Sequence, residues 1–412
     1  MNCTKNLILV IIVAAIGLIA DEIIVMKVVL LALIFVCVQM GRKEVSIINP
    51  FFLFTIVPFS LLIHRNISNF YMLDLTPKIY FFAIMNMVAF LWAVAKTKNF
   101  NSLSNCYSLP KSKIGVHVLV MTLLGLVPAL YFIFSGSVFP LASVLSVFSI
   151  PAILCAVLSK KKFLSFIAIG LYLLPMVIGT TSKTGVLTLC FLGILVFERF
   201  YVRNNRQRKI MYFFCAASVV IMISSFGFAN KERGAYDAEE GLANYEMNDV
   251  TWEGEANLFL PYMYLTTPWS NMQYIMETQD TRTYGLWAAK PILSYLQIDD
   301  NFRPSYTLVP YSSFNTVAFP GYHFKDLGYW GAFLLSLLLG FYVKKIYSRF
   351  TRSNSSLDIA CYVFVAQATF ELFFSHHFFT QSYPFTIVIV MELYKVIFGD
   401  KNTVSINEIT EK

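Results

Sequence analysis

The sequence predicts an all-α integral membrane protein: about 12 transmembrane helices with one large, mostly helical loop outside the cytoplasm. Three observations predict it. Of 412 residues, 57% are hydrophobic and 14% charged, more apolar surface than a water-soluble domain of this length can hide, but suited to lipid. Apolar runs recur at close to the length that crosses a bilayer. The Lys and Arg residues gather in short clusters between alternate runs. That placement explains the formal charge of +8 as a signal for membrane orientation and argues against nucleic acid as a partner.

The first run, 7–20, ends at Asp21-Glu22 without a small-residue cleavage site, so it reads as an inserted helix rather than a signal peptide. Further spans are expected near 23–40, 47–63, 79–95, 114–134, 138–158, 163–180, 185–202, 210–228, 329–346, 357–378 and 383–398. Alternate connections carry the basic residues: Arg42 and Lys43; Lys96, Lys98, Lys111 and Lys113; Lys160 to Lys162; Arg203 to Lys209; and Lys344 to Arg352. The opposite short connections hold only Arg65, Lys78 and Lys183. The positive-inside rule therefore expects both termini in the cytoplasm. Three regions follow: an N-terminal bundle of about nine spans over 1–228, a large periplasmic loop over 229–328, and about three spans with a cytoplasmic tail over 329–412.

The long loop carries six basic and thirteen acidic residues. It is too rich in Trp and Tyr for a solvated linker. Thr267-Pro268 ahead of Trp269 to Met276 reads as an N-cap, a first-turn proline and a short helix. With Leu258 to Tyr264 before it, this stretch is expected to lie along the membrane interface. None of the seven cysteines falls in the loop and no CxxC pair occurs. No structural disulfide or thiolate metal site is expected.

HExxH, P-loop and GxSxG patterns are missing, and the acidic residues do not cluster as a metal cage requires. No metal and no cofactor is expected. Chemistry must come from scattered polar groups at the outer mouth of the bundle. Gly179-Thr-Thr-Ser-Lys183-Thr-Gly185 is a polar hinge whose lone cation suits a phosphate, or else snorkels from a tight turn. His323, Lys325 and Asp326 close the long loop, and at the outer surface an imidazole or carboxylate would take a proton from a hydroxyl. Asp326 reads equally well as a cap. Glu371, with His376 and His377 nearby, is an ionisable group at the end of a span and a functional suspect by position. Arg233, Arg282 and Arg303 either pair with loop carboxylates or bind phosphate in bidentate fashion.

Three segments resemble the bacterial oligosaccharide repeat-unit polymerases, the O-antigen polymerase family. Gly179 to Val186 is similar to that family's Gly/Ser-rich segment, with Lys183 where Arg is common. Asn257 to Ile275 resembles its aromatic periplasmic segment. Asn315 to Gly331 resembles its Asn-containing stretch leading to Asp-x-Gly-x-x-Gly. The resemblance implies a membrane glycosyltransferase of the C-like type in the bacterial inner membrane. Its substrates would be undecaprenyl-diphosphate-linked oligosaccharides, and a flippase and a chain-length regulator would be its partners. It assigns Asp326, His323 or Glu371 as catalytic base, Lys183, Arg233, Arg282 and Arg303 to the diphosphate, and Trp269, Tyr264 and Asn315 to the sugars. An O-antigen ligase shares this layout. A flippase for the same lipid-linked oligosaccharide fits less well, because its outer loops are short.

The topology makes the first prediction. Alkaline phosphatase fused within 229–328 is expected to be active, and fusions after Arg206 or Lys345 inactive. Activity at all three positions, or only at the two basic ones, would reject the arrangement.

Overall fold

A computed structural model of the protein describes residues 3–64, 74–96, 107–109, 113–135, 145–158, 163, 165, 167–170, 172, 183–202, 204, 206–213, 256–278, 282–286, 289, 316–353, 355–374, 378 and 383–401. Among the described residues the regular structure is helical apart from one two-residue ladder. Its helices are α1 Cys3–Ile19, α2 Ile23–Gly41, α3 Pro50–Phe54, α4 Ile56–Leu62, α5 Pro77–Lys96, α6 Ile114–Ser135, α7 Ser149–Leu158, α8 Lys183–Tyr201, α9 Ala256–Thr278, α10 Phe319–Arg352, α11 Ser356–Phe370 and α12 Tyr383–Phe398. A 3-10 turn, Glu371–Phe373, extends α11, and strands β1 Tyr107–Ser108 and β2 Asp400–Lys401 pair antiparallel. Four described helices are long and apolar enough to cross a membrane: α2, α5, α10 and α11 with its extension. They coincide with the runs at 23–40, 79–95, 329–346 and 357–378.

The chain packs as two compact units that interleave along the sequence. One comprises Met1–Thr97, Gly193–Lys344 and Ala366–Gln381; the other comprises Lys98–Leu192, Lys345–Val365 and Ser382–Lys412.

In the first unit, α1 and α2 form a hairpin. Asp21 takes a left-handed conformation (φ 55°) just past α1. The Glu22 amide donates to Gly17 O at 3.0 Å and the Asp21 amide to Leu18 O at 3.3 Å, the Schellman pattern that closes a helix end. At the other end of α2, the buried Asn49 caps α3. Its Oδ1 accepts from the Phe51 and Phe52 amides at 3.1 Å each, and Pro50 occupies the first helical turn. Its Nδ2 donates to Ser46 O at 2.8 Å and Gly41 O at 3.1 Å. The run expected at 47–63 is helical over Pro50–Leu62, with an irregular turn at Thr55 that keeps right-handed helical angles (φ −57°, ψ −31°).

Helices α5 and α10 run side by side in the same direction. Phe82 meets Phe324 and Tyr329, Asn86 meets Ser336, and Trp92 meets Phe341. Gly340 allows this approach, since a Cβ there would stand 2.5 Å from Phe90 O. Helix α10 begins at Phe319, ahead of the expected 329, and kinks at Gly328 (φ 71°). Its first turns therefore lie in the packing, and His323, Lys325 and Asp326 are 1%, 3% and 1% exposed rather than outside the bundle.

Helix α9 also departs from expectation. It runs unbroken through Pro261 and Pro268, so Thr267 and Pro268 stand in mid-helix instead of at its start. A proline inside a helix costs about 3 kcal/mol, and burial of one long face outweighs it. Met263, Trp269, Met272 and Ile275 are at most 1% exposed. The stretch packs inside the unit. From the neighbouring segment the Ala318 amide donates to Pro268 O at 3.1 Å, and Asn271 Nδ2 donates to Thr316 O at 2.8 Å.

The second unit pairs α6 with α7, where Gly125 leaves room for Ser149. Its polar centre is a set of four charges. Asp358 Oδ1 lies 2.6 Å from both Arg349 Nη2 and Lys395 Nζ, and Arg349 also contacts Glu392. Glu392 and Lys395, one turn apart on α12, meet at 3.8 Å, the weakest contact of this set. Asp358, Arg349 and Lys395 are buried, whereas the Glu392 side chain is 29% exposed.

Asp358→Ala leaves two buried cations with only the partly exposed Glu392 between them and is expected to destabilise the chain by about 3 kcal/mol. Glu392→Gln should cost much less. Unfolding of the purified variants in detergent measures both, and equal small losses would show that the set is solvated.

Candidate functional site

Four of the described candidates, Arg282, Asp326, Tyr264 and Glu371, fall into two groups within the first unit. The first is built on the turn Arg282–Gly285, which is fastened to the start of α10. The Thr283 amide donates to Lys325 O at 3.2 Å and the Tyr284 amide to Asp326 O at 3.0 Å. The Asp326 carboxylate completes the attachment: Oδ1 accepts from Thr283 Oγ1 at 2.7 Å and from the Gly285 amide at 2.8 Å. A buried carboxylate holding two donors is a strong anchor. Asp326 therefore caps the neighbouring turn rather than its own helix, and at 1% exposure it presents almost no surface to a substrate.

Arg282 is oriented by the same platform. Its Nη1 donates to Phe324 O at 2.9 Å, and its guanidinium carbon sits 4.1 Å from the centre of the Phe324 ring. The kink glycine Gly328 borders the other edge, since a Cβ there would lie 3.6–3.8 Å from the guanidinium. Lys325 is close enough to Arg282 to interact with it electrostatically. Two cations thus share one place where α10 changes direction. Arg282 is partly exposed, so the planar donor set of one guanidinium edge can meet an oxyanion.

Tyr284 is the residue that the sequence reading missed. It adopts a left-handed backbone (φ 48°) and its side chain is 83% exposed. Such a conformation costs a bulky residue about 1–3 kcal/mol. The pinned amides on either side impose it, and Gly285 (φ 92°) continues the turn. The only signal in the sequence was a Tyr-Gly dipeptide, which does not specify the sign of φ. The outcome is an exposed aromatic side chain two residues after a fixed guanidinium.

The second group joins α9 to the end of α11. The Tyr264 and Phe374 rings lie 5.3 Å apart, and the Phe374 amide donates to Glu371 O at 2.9 Å. Glu371 Oε1 accepts from Gln367 Nε2 at 3.3 Å and is partly exposed. Tyr264 is also partly exposed. Trp269 belongs to neither group. It is wholly buried and donates from Nε1 to Ser60 Oγ at 3.0 Å, so neither face of its ring is accessible to a sugar. His323 is likewise interior: Nδ1 lies 3.3 Å from Ser336 Oγ, which donates to Asn86 Oδ1 at 2.8 Å. That relay ties α10 to α5.

Lys183 begins α8, and its side chain lies outside the described residues, as do Arg233, Arg303 and Asn315 entirely. No group of three His, Cys, Asp or Glu residues that would hold a metal occurs among the described residues. No protein-family model matches the chain, and neither a curated protein nor a solved structure does.

Tyr284→Gly removes the conformational penalty and is expected to raise stability by about 1 kcal/mol. The measurement is the unfolding midpoint of the purified variant. A lower midpoint would identify the ring as a packing group.

Proposed function

We propose that the chain is a multi-pass inner-membrane glycosyltransferase of about 12 spans that polymerises lipid-linked oligosaccharide repeat units on the periplasmic side. The observation that carries this reading is the Asp326-pinned turn. It holds a partly exposed guanidinium and, two residues on, an exposed tyrosine side chain, at the kink in a long apolar helix. A glycosyl diphosphate on a polyprenyl tail presents the matching sequence of groups: a sugar face, a dianionic leaving group and an apolar chain. The resemblance of Asn315 to Gly331 to the O-antigen polymerases supports the same assignment.

In this reading, Arg282 meets the diphosphate and the Tyr284 ring lies under a sugar. The acceptor hydroxyl oxygen attacks the anomeric carbon of the donor. The bond from that carbon to the phosphate oxygen breaks, and polyprenyl diphosphate departs with the electron pair. The hydroxyl proton passes to a carboxylate. Glu371 suits this role better than Asp326 or His323 because it keeps accessible surface. The diphosphate is already a good leaving group, so stabilising its charge contributes more than the base does.

A strain lacking the chain is expected to attach single repeats, and no longer bands, to its lipopolysaccharide or capsule anchor on a gel. Complementation with Arg282→Ala should reproduce that pattern at normal protein levels. Polymer accumulating on the carrier lipid would identify a ligase instead. Loss of the single-repeat band would place the chain in export.

A further inference from the structure

A second polar site lies in the first unit, at the end where α2 and α5 finish and α1 begins. It is a cavity of about 150 Å³. The polar side chains lining it are Asn6, Gln39, Lys43, Glu44 and Lys344, above an apolar floor that includes Phe51. Glu44 and Lys344 form an ion pair at 2.8 Å, with Lys344 Nζ 6.0 Å from the centre of the Phe51 ring. Lys43 has no ion pair among the described residues and is exposed. The charged lining of the cavity therefore carries one positive charge in excess, with two side-chain amides to supply hydrogen bonds.

What adjoins the cavity identifies its ligand. On α2, Val28, Leu31 and Phe35 are each more than half exposed. They follow one another at helical spacing, and the next position on that stripe is Gln39. On α1, Ile16, Ile12 and Leu9 are each more than half exposed, and Asn6 is the next position on theirs. Two exposed apolar tracks thus each end at an amide that lines the cavity. A ligand that fills both features has an anionic head and long hydrocarbon chains.

We infer that this cavity binds the phosphate headgroup of an anionic phospholipid, whose acyl chains lie along the exposed stripes of α1 and α2. Lys43 supplies the attraction. Asn6 and Gln39 donate to the phosphodiester oxygens. The Glu44–Lys344 pair shapes the wall without changing its net charge. The position also fits the general behaviour of basic pockets at the ends of transmembrane helices, which collect anionic headgroups. The site does not depend on the reaction proposed above, only on the chain being in a membrane.

The test uses the full chain purified in a neutral detergent. Its unfolding midpoint is followed against added phosphatidylglycerol, phosphatidylcholine or sodium phosphate. Phosphatidylglycerol is expected to raise the midpoint more than phosphatidylcholine. Lys43→Gln should raise its half-saturating concentration about fivefold, as the loss of one surface cation implies. Arg352→Gln removes the same charge outside the cavity and should leave the value unchanged. The double variant Glu44→Gln, Lys344→Gln keeps the cavity's net charge and should retain the preference for phosphatidylglycerol. Equal shifts from both lipids, or equal weakening by Lys43→Gln and Arg352→Gln, would overturn the site. A shift from sodium phosphate as large as that from phosphatidylglycerol at equal phosphorus would overturn the lipid as its occupant.

Discussion

A polar group buried among apolar helices must find a partner, and this constraint fixes how the helices are joined. Apolar surfaces attract without direction. A chain that is 57% hydrophobic could slide one helix along another at little cost. Buried polar groups remove that freedom, because an unpaired one costs several kcal/mol in an apolar setting. Asn49, Asp326 and Asp358 each show how. Asn49 folds the chain back after α2 by holding amides of α3 and carbonyls behind it. Asp326 holds a turn more than 40 residues away in sequence. Asp358 gathers α10, α11 and α12 through two cations. None of the three has surface to spare for a substrate.

That division of labour narrows the chemistry. A carboxylate that anchors a turn cannot easily leave its donors to act as a base, whereas the groups it positions are free to act. At the Arg282–Gly285 turn the acid that holds it is buried, as is Lys325, while Arg282 and the Tyr284 ring keep accessible surface. Preorganisation of this kind suits stabilisation of a developing charge, since the cation need not move when the charge appears. The strained Tyr284 backbone is consistent with a position selected for what it displays rather than for stability.

The sequence made some of this legible. Helix lengths and apolar runs located α2, α5, α10 and α11, because hydrophobic length is a local property. Three features resisted. Helix α9 crosses two prolines because its buried face outweighs a local rule, and burial is not written in the segment itself. Asp326 was recognisable as a cap, but its donors come from Thr283 and Gly285, which only the fold brings to it. Glu392, one turn away, is the partner that its own helix offers Lys395, yet the shorter contact of Lys395 goes to Asp358, 37 residues distant. Pairing across helices is a tertiary fact. The sign of φ at Tyr284 is one as well.

The parallel pairing of α5 and α10 relates the two polar sites of the first unit. Lys78 lies over Tyr329 near the beginning of α5, where Phe82 meets Phe324, the ring that carries Arg282. Ala95, near the end of α5, lines the cavity together with Lys344 of α10. Helix α5 has 20 residues, and at 1.5 Å per residue it spans about 30 Å. That is the thickness of the hydrocarbon core of a bilayer. Between these ends the described residues of α5 are apolar except for Tyr80 and Asn86, and Asn86 is spent on the Ser336 relay. The turn with its guanidinium and the cavity with its lysines therefore stand one bilayer thickness apart on a single pair of helices. This separation is what a protein needs to hold a headgroup at one water boundary and present a cation at the other.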